Sequence, residues 1–196
     1  MSVKLKLFCS TLLTNLACCF LITAQSSIEW RVTNYDESKG LSSRRVTQIL
    51  EDHSGYLWIG TPDGLNRFDG YGFKTFRKIP GDTASIGGNY ISYLAEDRDN
   101  NIWIAFLTGG ISCYSVSTGT FTTYPPNNFK TGSLPASEIS TIFADSQNEI
   151  WVGVTQQGLY HLDRKTGLFT QQSISIFEDP FYTPQSKKIY NTVYSI

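Results

Sequence analysis

Residues 51–70 read EDHSGYLWIGTPDGLNRFDG, and residues 96–115 return as EDRDNNIWIAFLTGGISCYS. Whether this is a single functional motif or one tile of an array decides the fold, because self-similarity at a fixed period identifies repeat architectures before any local assignment does. A third copy is present. Trp58, Trp103 and Trp151 are spaced by 45 and 48 residues, and six positions before each stands an aspartate: Asp52, Asp97 and Asp145. Each aspartate follows an apolar run (VTQIL, ISYLA, ISTIF), and each tryptophan sits within LWIG, IWIA or IWVG. Gly64, Gly110 and Gly158 then open a further apolar segment, and Phe73, Phe121 and Phe169 close each copy.

Each unit divides into four short β-type segments joined by turn signals; in the first copy they run near 46–51, 56–61, 64–69 and 73–76. The turns DHSG, DRDN and DSQN place Gly55, Asn100 and Asn148 at one position. Glycine and asparagine tolerate positive φ, so that position is expected to be left-handed in a tight hairpin. The leading aspartate is expected to accept hydrogen bonds from the turn's own amides, making it a structural cap.

Alternation sends Leu57 and Ile59 to one face of the second segment and Trp58 and Gly60 to the other, so both faces carry packing residues. A four-stranded antiparallel sheet that is apolar on both sides must lie between neighbours, and radial stacking of such sheets makes a β-propeller. A β-sandwich would not need the same tryptophan and turn at each interval. Gly60, Ala105 and Gly153 fit close approach of adjacent blades. The fold class is therefore all-β: three complete four-stranded antiparallel blades, at 44–80, 86–126 and 134–172, preceded by a lead-in strand or loop at 25–43. After an inter-blade loop at 173–190, NTVYSI at 191–196 matches the first strand of a fourth blade. Three blades and a strand cannot close a ring, so the expectation is an incomplete propeller: a fragment of a longer protein or a prematurely ended reading frame, with a piece that meets its remaining blades on another chain as the alternative.

The first 24 residues are set apart. Lys4 and Lys6 precede an apolar stretch from Leu7 to Ile22, and Ile22 and Ala24 form a small-residue cleavage pattern, as in an export signal. The stretch is short for a membrane span and is interrupted by Ser10, Thr11, Thr14 and Asn15. A lipidated Cys18 is the minor alternative. Cleavage would move the formal net charge from −1 to −3, because the signal holds two lysines and no acid. It would also leave Cys113 as the single thiol, expected to act as a small buried hydrophobe. Arg44-Arg45, Arg77-Lys78 and Lys187-Lys188 are isolated basic pairs, which argues against nucleic acid as a partner.

The pattern Val46-x-x-Ile49, Asp52-x-x-Gly55-x-Leu57-Trp58-Ile59-Gly60-Thr61, Gly64-Leu65 and Phe68-Asp69 resembles the two-component regulator propeller repeat. The resemblance runs over residues 30–196, with Ala105-Phe106 as its main departure. It implies the periplasmic sensor region of a Bacteroidetes-type hybrid two-component system. In such systems two propellers precede a β-sandwich domain, a transmembrane helix, a histidine kinase, a receiver and a DNA-binding output domain. It further implies detection of oligosaccharides and control of polysaccharide-utilisation genes. The kinase modules are not among these residues, so the segment is expected to be non-catalytic, with no catalytic residue, metal or cofactor.

The Asp97-x-Asp99-x-Asn101 spacing of a calcium loop lacks its glycine and its bidentate glutamate. Acids such as Asp63, Asp82, Glu138 and Glu178 lie in separate loops, with nothing to show a glycosidase pair. Binding is the better class. Loops after the second strand and those between blades share one rim, which makes Asp63, Thr108, Gln156, Gln157, Phe181 and Tyr182 the candidate ligand residues. The repeat residues Asp52, Trp58, Gly64, Asp97, Trp103, Gly110, Asp145, Trp151 and Gly158 are read as scaffold. A free-standing exported propeller, acting as a glycan-binding protein or carbohydrate-active enzyme, is the alternative function.

Overall fold

A computed structural model describes residues 32–172. The signal segment at 1–24, the loop at 173–190 with Phe181 and Tyr182, and the 191–196 segment lie outside the described residues.

Three antiparallel sheets of four strands each follow one another along the chain. The first holds β1 (Gln48–Glu51), β2 (Leu57–Thr61), β3 (Gly64–Phe68) and β4 (Phe73–Phe76). The second holds β5 (Ile91–Glu96), β6 (Ile102–Phe106), β7 (Ile111–Ser115) and β8 (Thr120–Tyr124), and the third β9 (Ile139–Ala144), β10 (Ile150–Val154), β11 (Gly158–Asp163) and β12 (Leu168–Gln172). Strand order within each sheet is sequential, as expected of propeller blades. The four segments read from the first copy fall on β1 to β4. β1 starts two residues later than Val46, although the Thr47 amide still donates to the Gly60 carbonyl at 2.9 Å. The equivalent strands β5 and β9 carry register shifts between Ile91 and Tyr93 and opposite Gly153/Val154. These irregularities bend the first strands of blades 2 and 3.

The lead-in holds a short 3-10 turn, Glu37–Lys39, capped by Asp36, and no strand among residues 32–43. Tyr35 packs edge-on against Phe68 and Phe73 of the first blade, at ring separations of 5.0 and 5.7 Å.

The repeated aspartate builds its hairpin with both oxygens. In blade 1, Asp52 Oδ1 accepts the Ser54 and Tyr56 amides at 2.9 and 3.0 Å, and the Gly55 amide donates to the Asp52 carbonyl. Its Oδ2 accepts the Trp58 indole N–H at 2.7 Å. Asp97 with Trp103 (2.9 Å) and Asp145 with Trp151 (2.8 Å) repeat the arrangement. The left-handed position is filled as expected, with φ of 83°, 62° and 64° at Gly55, Asn100 and Asn148.

The core lies between sheets. Trp58, Leu65, Ile91, Leu94, Ile104 and Tyr114 join blades 1 and 2; Trp103, Ile111, Ile139, Ile142, Val152 and Phe169 join blades 2 and 3. Trp58 stacks on Phe76 and meets Tyr114 of blade 2, and Trp103 stacks on Tyr124, which meets Phe169 of blade 3 edge-on. A Cβ on Gly60 would stand 2.8 Å from Ile91 Cγ2, so the absence of a side chain sets the spacing of blades 1 and 2. Among the described residues no helix is long and apolar enough to cross a membrane.

Candidate functional site

The sheet registers bring the short turns after β2, β6 and β10 to one end of the blades, together with the connectors 77–90 and 125–138. Backbone hydrogen bonds tie these pieces together. Gly64 N–H donates to the Asn89 carbonyl (2.8 Å), Leu107 N–H to Tyr90 (3.1 Å) and Thr155 N–H to Glu138 (2.9 Å). Gly109 lies so close to Pro135 and Ser137 that a Cβ would meet the Ser137 carbonyl at 2.8 Å. Turns and connectors therefore alternate along one continuous rim.

Two hollows open on this rim, and a third lies beside connector 125–138 against Gly167, Leu168 and Phe169 at the start of β12. The first, about 480 Å³, lies under connector 77–90; Ile86, Phe106 and Pro126 give it an apolar floor, and Lys78, Asp82 and Thr108 polar edges. The second, about 420 Å³, lies against connector 125–138 and is polar, with Asn127, Asn128, Lys130, Ser137, Gln157 and Tyr160. A third of about 300 Å³ sits on the other flank of that connector and shares Asn127 and Lys130. Such volumes fall at the lower end of the range for small-molecule sites.

The candidate residues part company here. Thr108 lines the first hollow and Gln157 the second. Asp63 lines neither: its carboxylate takes Arg77 Nη2 at 2.9 Å and its carbonyl takes Arg77 Nε, so it fastens the turn to the connector. Gln156 sits at the turn apex with φ of 61°, outside both linings, while Gln171 Nε2 reaches the neighbouring Gln157 carbonyl at 2.6 Å. Residues Lys130 and Tyr160 were not singled out from the sequence. The signal that could have found Lys130 is PPNNFKTGS, a turn-rich connector with an aromatic and a cation at its centre.

The opposite end carries a hollow of about 620 Å³ with His53, Glu96, Arg98 and Asp145 on its walls. Its groups are engaged in the fold. Glu96 accepts the His53 amide from blade 1 at 3.0 Å, and Asn148 Oδ1 accepts the Arg98 amide at 2.9 Å. Asp97 is likewise spent: besides its turn and indole bonds, Oδ2 accepts Arg164 Nη2 of blade 3 at 3.1 Å. Asp99 takes Asn148 Nδ2 at 2.8 Å. The calcium-like spacing is thus a hairpin stitched to the next blade. Burial, with the Asp97 charge adding to it, pushes the Cys113 thiol up to about 12, which keeps it protonated and a poor nucleophile.

The sequence pattern of the two-component regulator propeller family matches residues 40–63, 85–107 and 133–156, one segment in each blade. The chain is 53% identical over 47 residues to histidine kinase P4 of Formosa agariphila, covering 24% of this chain and 3% of the kinase. Among solved structures it is similar to the extracellular domain of BT3049 from B. thetaiotaomicron, described as a hybrid two component system. That likeness has 32% identity and a TM-score of 0.65 over 72% of this chain and 20% of the other. The extracellular domain of BT4673 from B. thetaiotaomicron (24%, TM-score 0.55, 67% of this chain and 19% of that one) shares the fold. So does virginiamycin B lyase of Staphylococcus aureus (16%, TM-score 0.56, 76% and 47%). The chain spans about a fifth of the length of the two B. thetaiotaomicron domains.

Proposed function

From its three two-component regulator propeller repeats, we propose that the chain is part of the ligand-sensing propeller of a hybrid two-component sensor. In this reading residues 1–24 direct export to the periplasm. The rim receives an oligosaccharide, and the bound state regulates genes for polysaccharide use. The blades themselves are non-catalytic, and they meet further blades, in the same protein or a second copy. The observation that carries the reading is the match of one repeat to each blade, joined to a 32% identical extracellular sensor domain with the same architecture. The rim geometry agrees with it, since the hollows are lined by hydroxyl, amide and aromatic groups suited to sugars rather than by converging acids. The likeness to the lyase lies in the fold alone and does not argue for an enzyme.

A thermal-shift screen of the purified chain against neutral and acidic oligosaccharides tests this. The expected result is a raised midpoint with at least one oligosaccharide and unchanged sugar after prolonged incubation. Cleavage of a bound glycan, or no response across the panel, would overturn the reading.

A further inference from the structure

Connector 125–138 carries a residue that the fold does not require. Phe129 is 99% exposed, yet the chain around it is fixed. The Phe129 amide donates to Asn127 Oδ1 at 2.9 Å, the Asn127 amide to the Leu134 carbonyl at 2.8 Å, and the Ala136 amide to Asn128 Oδ1 at 2.7 Å. Leu134, fully buried, anchors the loop in the core between blades 2 and 3, and the Phe169 amide of β12 donates to the Gly132 carbonyl at 2.8 Å. A ring presented on an anchored loop loses little conformational freedom when something stacks on it.

A single exposed aromatic is ordinary, and neither Tyr71, 97% exposed on the turn after β3, nor Phe129 itself lines a hollow; what separates them is the residues beside them. Phe129 differs in its surroundings. It stands between Asn128 and Lys130, both of which line the 420 Å³ hollow, and Lys130 also borders the 300 Å³ hollow on the other flank. Of the residues lining these two hollows Lys130 alone is charged, and none is acidic. The remaining wall offers hydroxyls and amides, from Ser133, Ser137, Gln157 and Tyr160. An apolar ring, one cation and neutral donors without a carboxylate match a sugar ring bearing a negative charge. The C–H face of a pyranose covers the aromatic, the hydroxyls take the amides, and the anion takes the ammonium.

We propose that the Phe129 loop is a subsite for an acidic sugar unit, a uronate, of the oligosaccharide bound at the rim. This rests on the oligosaccharide-sensing reading above and names the residues and the sugar class. The test is titration calorimetry on the full chain with oligomers of galacturonate, mannuronate and guluronate, the methyl ester of the bound uronate, and cello-oligomers. At least one uronate oligomer is expected to bind, and its ester about tenfold more weakly. Phe129→Ala is expected to weaken the uronate about tenfold. Lys130→Gln is expected to erase the preference for acid over ester and the dependence on salt. Both side chains are outside the packed core, so an unchanged thermal midpoint verifies folding of each variant. Saccharide binding that ignores both substitutions, or that does not distinguish acid from ester, overturns the subsite and leaves the sensor reading standing. Binding of no saccharide in the panel overturns both.

Discussion

Trp58, Trp103 and Trp151 occupy one position in three blades and make the same indole bond to the same aspartate, but their surroundings differ. Trp58 and Trp103 are 0% and 2% exposed, each pressed against the sheet that follows it. Trp151 is only partly buried. Its neighbours on that face include Phe143, 38% exposed, and His161, which pairs with Glu149 at 2.8 Å beside the indole. Among the described residues no sheet covers this face. The hairpin with its aspartate and tryptophan is therefore a local unit that forms from its own residues, whereas burial of the indole depends on the next blade. The amide bonds between blades tell the same story. His53 and Arg98, each directly after the blade aspartate, donate to acceptors on the following blade, while Ser146, their counterpart, meets no acceptor among the described residues.

The comparison is broken most directly by truncating the tryptophans. Trp103→Ala should cost about 3–5 kcal/mol, the usual range for a buried large aromatic, in urea unfolding. Trp151→Ala should cost about half of that or less, because less of its surface leaves water on folding. Equal losses would mean that the third face is covered as fully as the other two.

Gly60→Ala tests the spacing of blades 1 and 2. The new methyl meets Ile91 Cγ2 at 2.8 Å and Ile91 Cβ at 3.1 Å inside a sealed interface, and overpacking of this kind costs about 1–3 kcal/mol. Gly55→Asn, in contrast, should be close to neutral, because asparagine already holds the same left-handed position in the other two hairpins. A Gly60→Ala variant as stable as the parent would show that the blades can separate freely.

Arg164→Gln removes a guanidinium that lies over the Trp103 ring at 5.8 Å and donates to Asp97, whose side chain is fully buried. The expected loss is about 1 kcal/mol, since Asp97 keeps its turn amides and the indole and Arg164 is partly solvated. Thermal unfolding reads this directly. A loss as large as that of Trp103→Ala would make the ion pair, not apolar packing, the main bond between blades 2 and 3.

The smallest effect is expected from acid. The Trp151 indole N–H, followed by the Glu149 amide, holds the Asp145 carboxyl below its ordinary value of 3.8. A group depressed on folding stabilises above its unfolded pKa, and that contribution fades as pH falls through the lower folded value. The unfolding midpoint should therefore drop below about pH 4, and Asp145→Asn should flatten that drop slightly. Asp69 and Asp163, held low chiefly by the Gly72 amide and the Thr166 hydroxyl of their own turns, should add to the same slope. A midpoint that rises with acid in this window would contradict the assignment.

Much of the fold could be read in advance because its signals are local and repeated. An aspartate six residues before a tryptophan, with glycine or asparagine between, has one economical conformation, and three copies remove the ambiguity of any single one. The indole bond to the aspartate was not read, since its donor lies on the second strand and its geometry depends on the hairpin it closes. The rim site was legible only as a region. Thr108 and Gln157 line hollows, but Asp63 is tied down by Arg77, a partner fourteen residues away whose approach follows from strand pairing. Phe129 and Lys130 escaped because a connector has no period to mark its functional positions.

By itself the sequence determined the blade: four strands, their turns, the two apolar faces and the positions that had to be small or left-handed. Those features follow from steric limits on the backbone and from alternation, and both act within a few residues. Only the tertiary structure decided which tryptophan is sealed, which connector side chains share a hollow, and which polar groups are spent on the next blade. Such outcomes depend on contacts between residues dozens of positions apart, and these exist only once one sheet has packed against another.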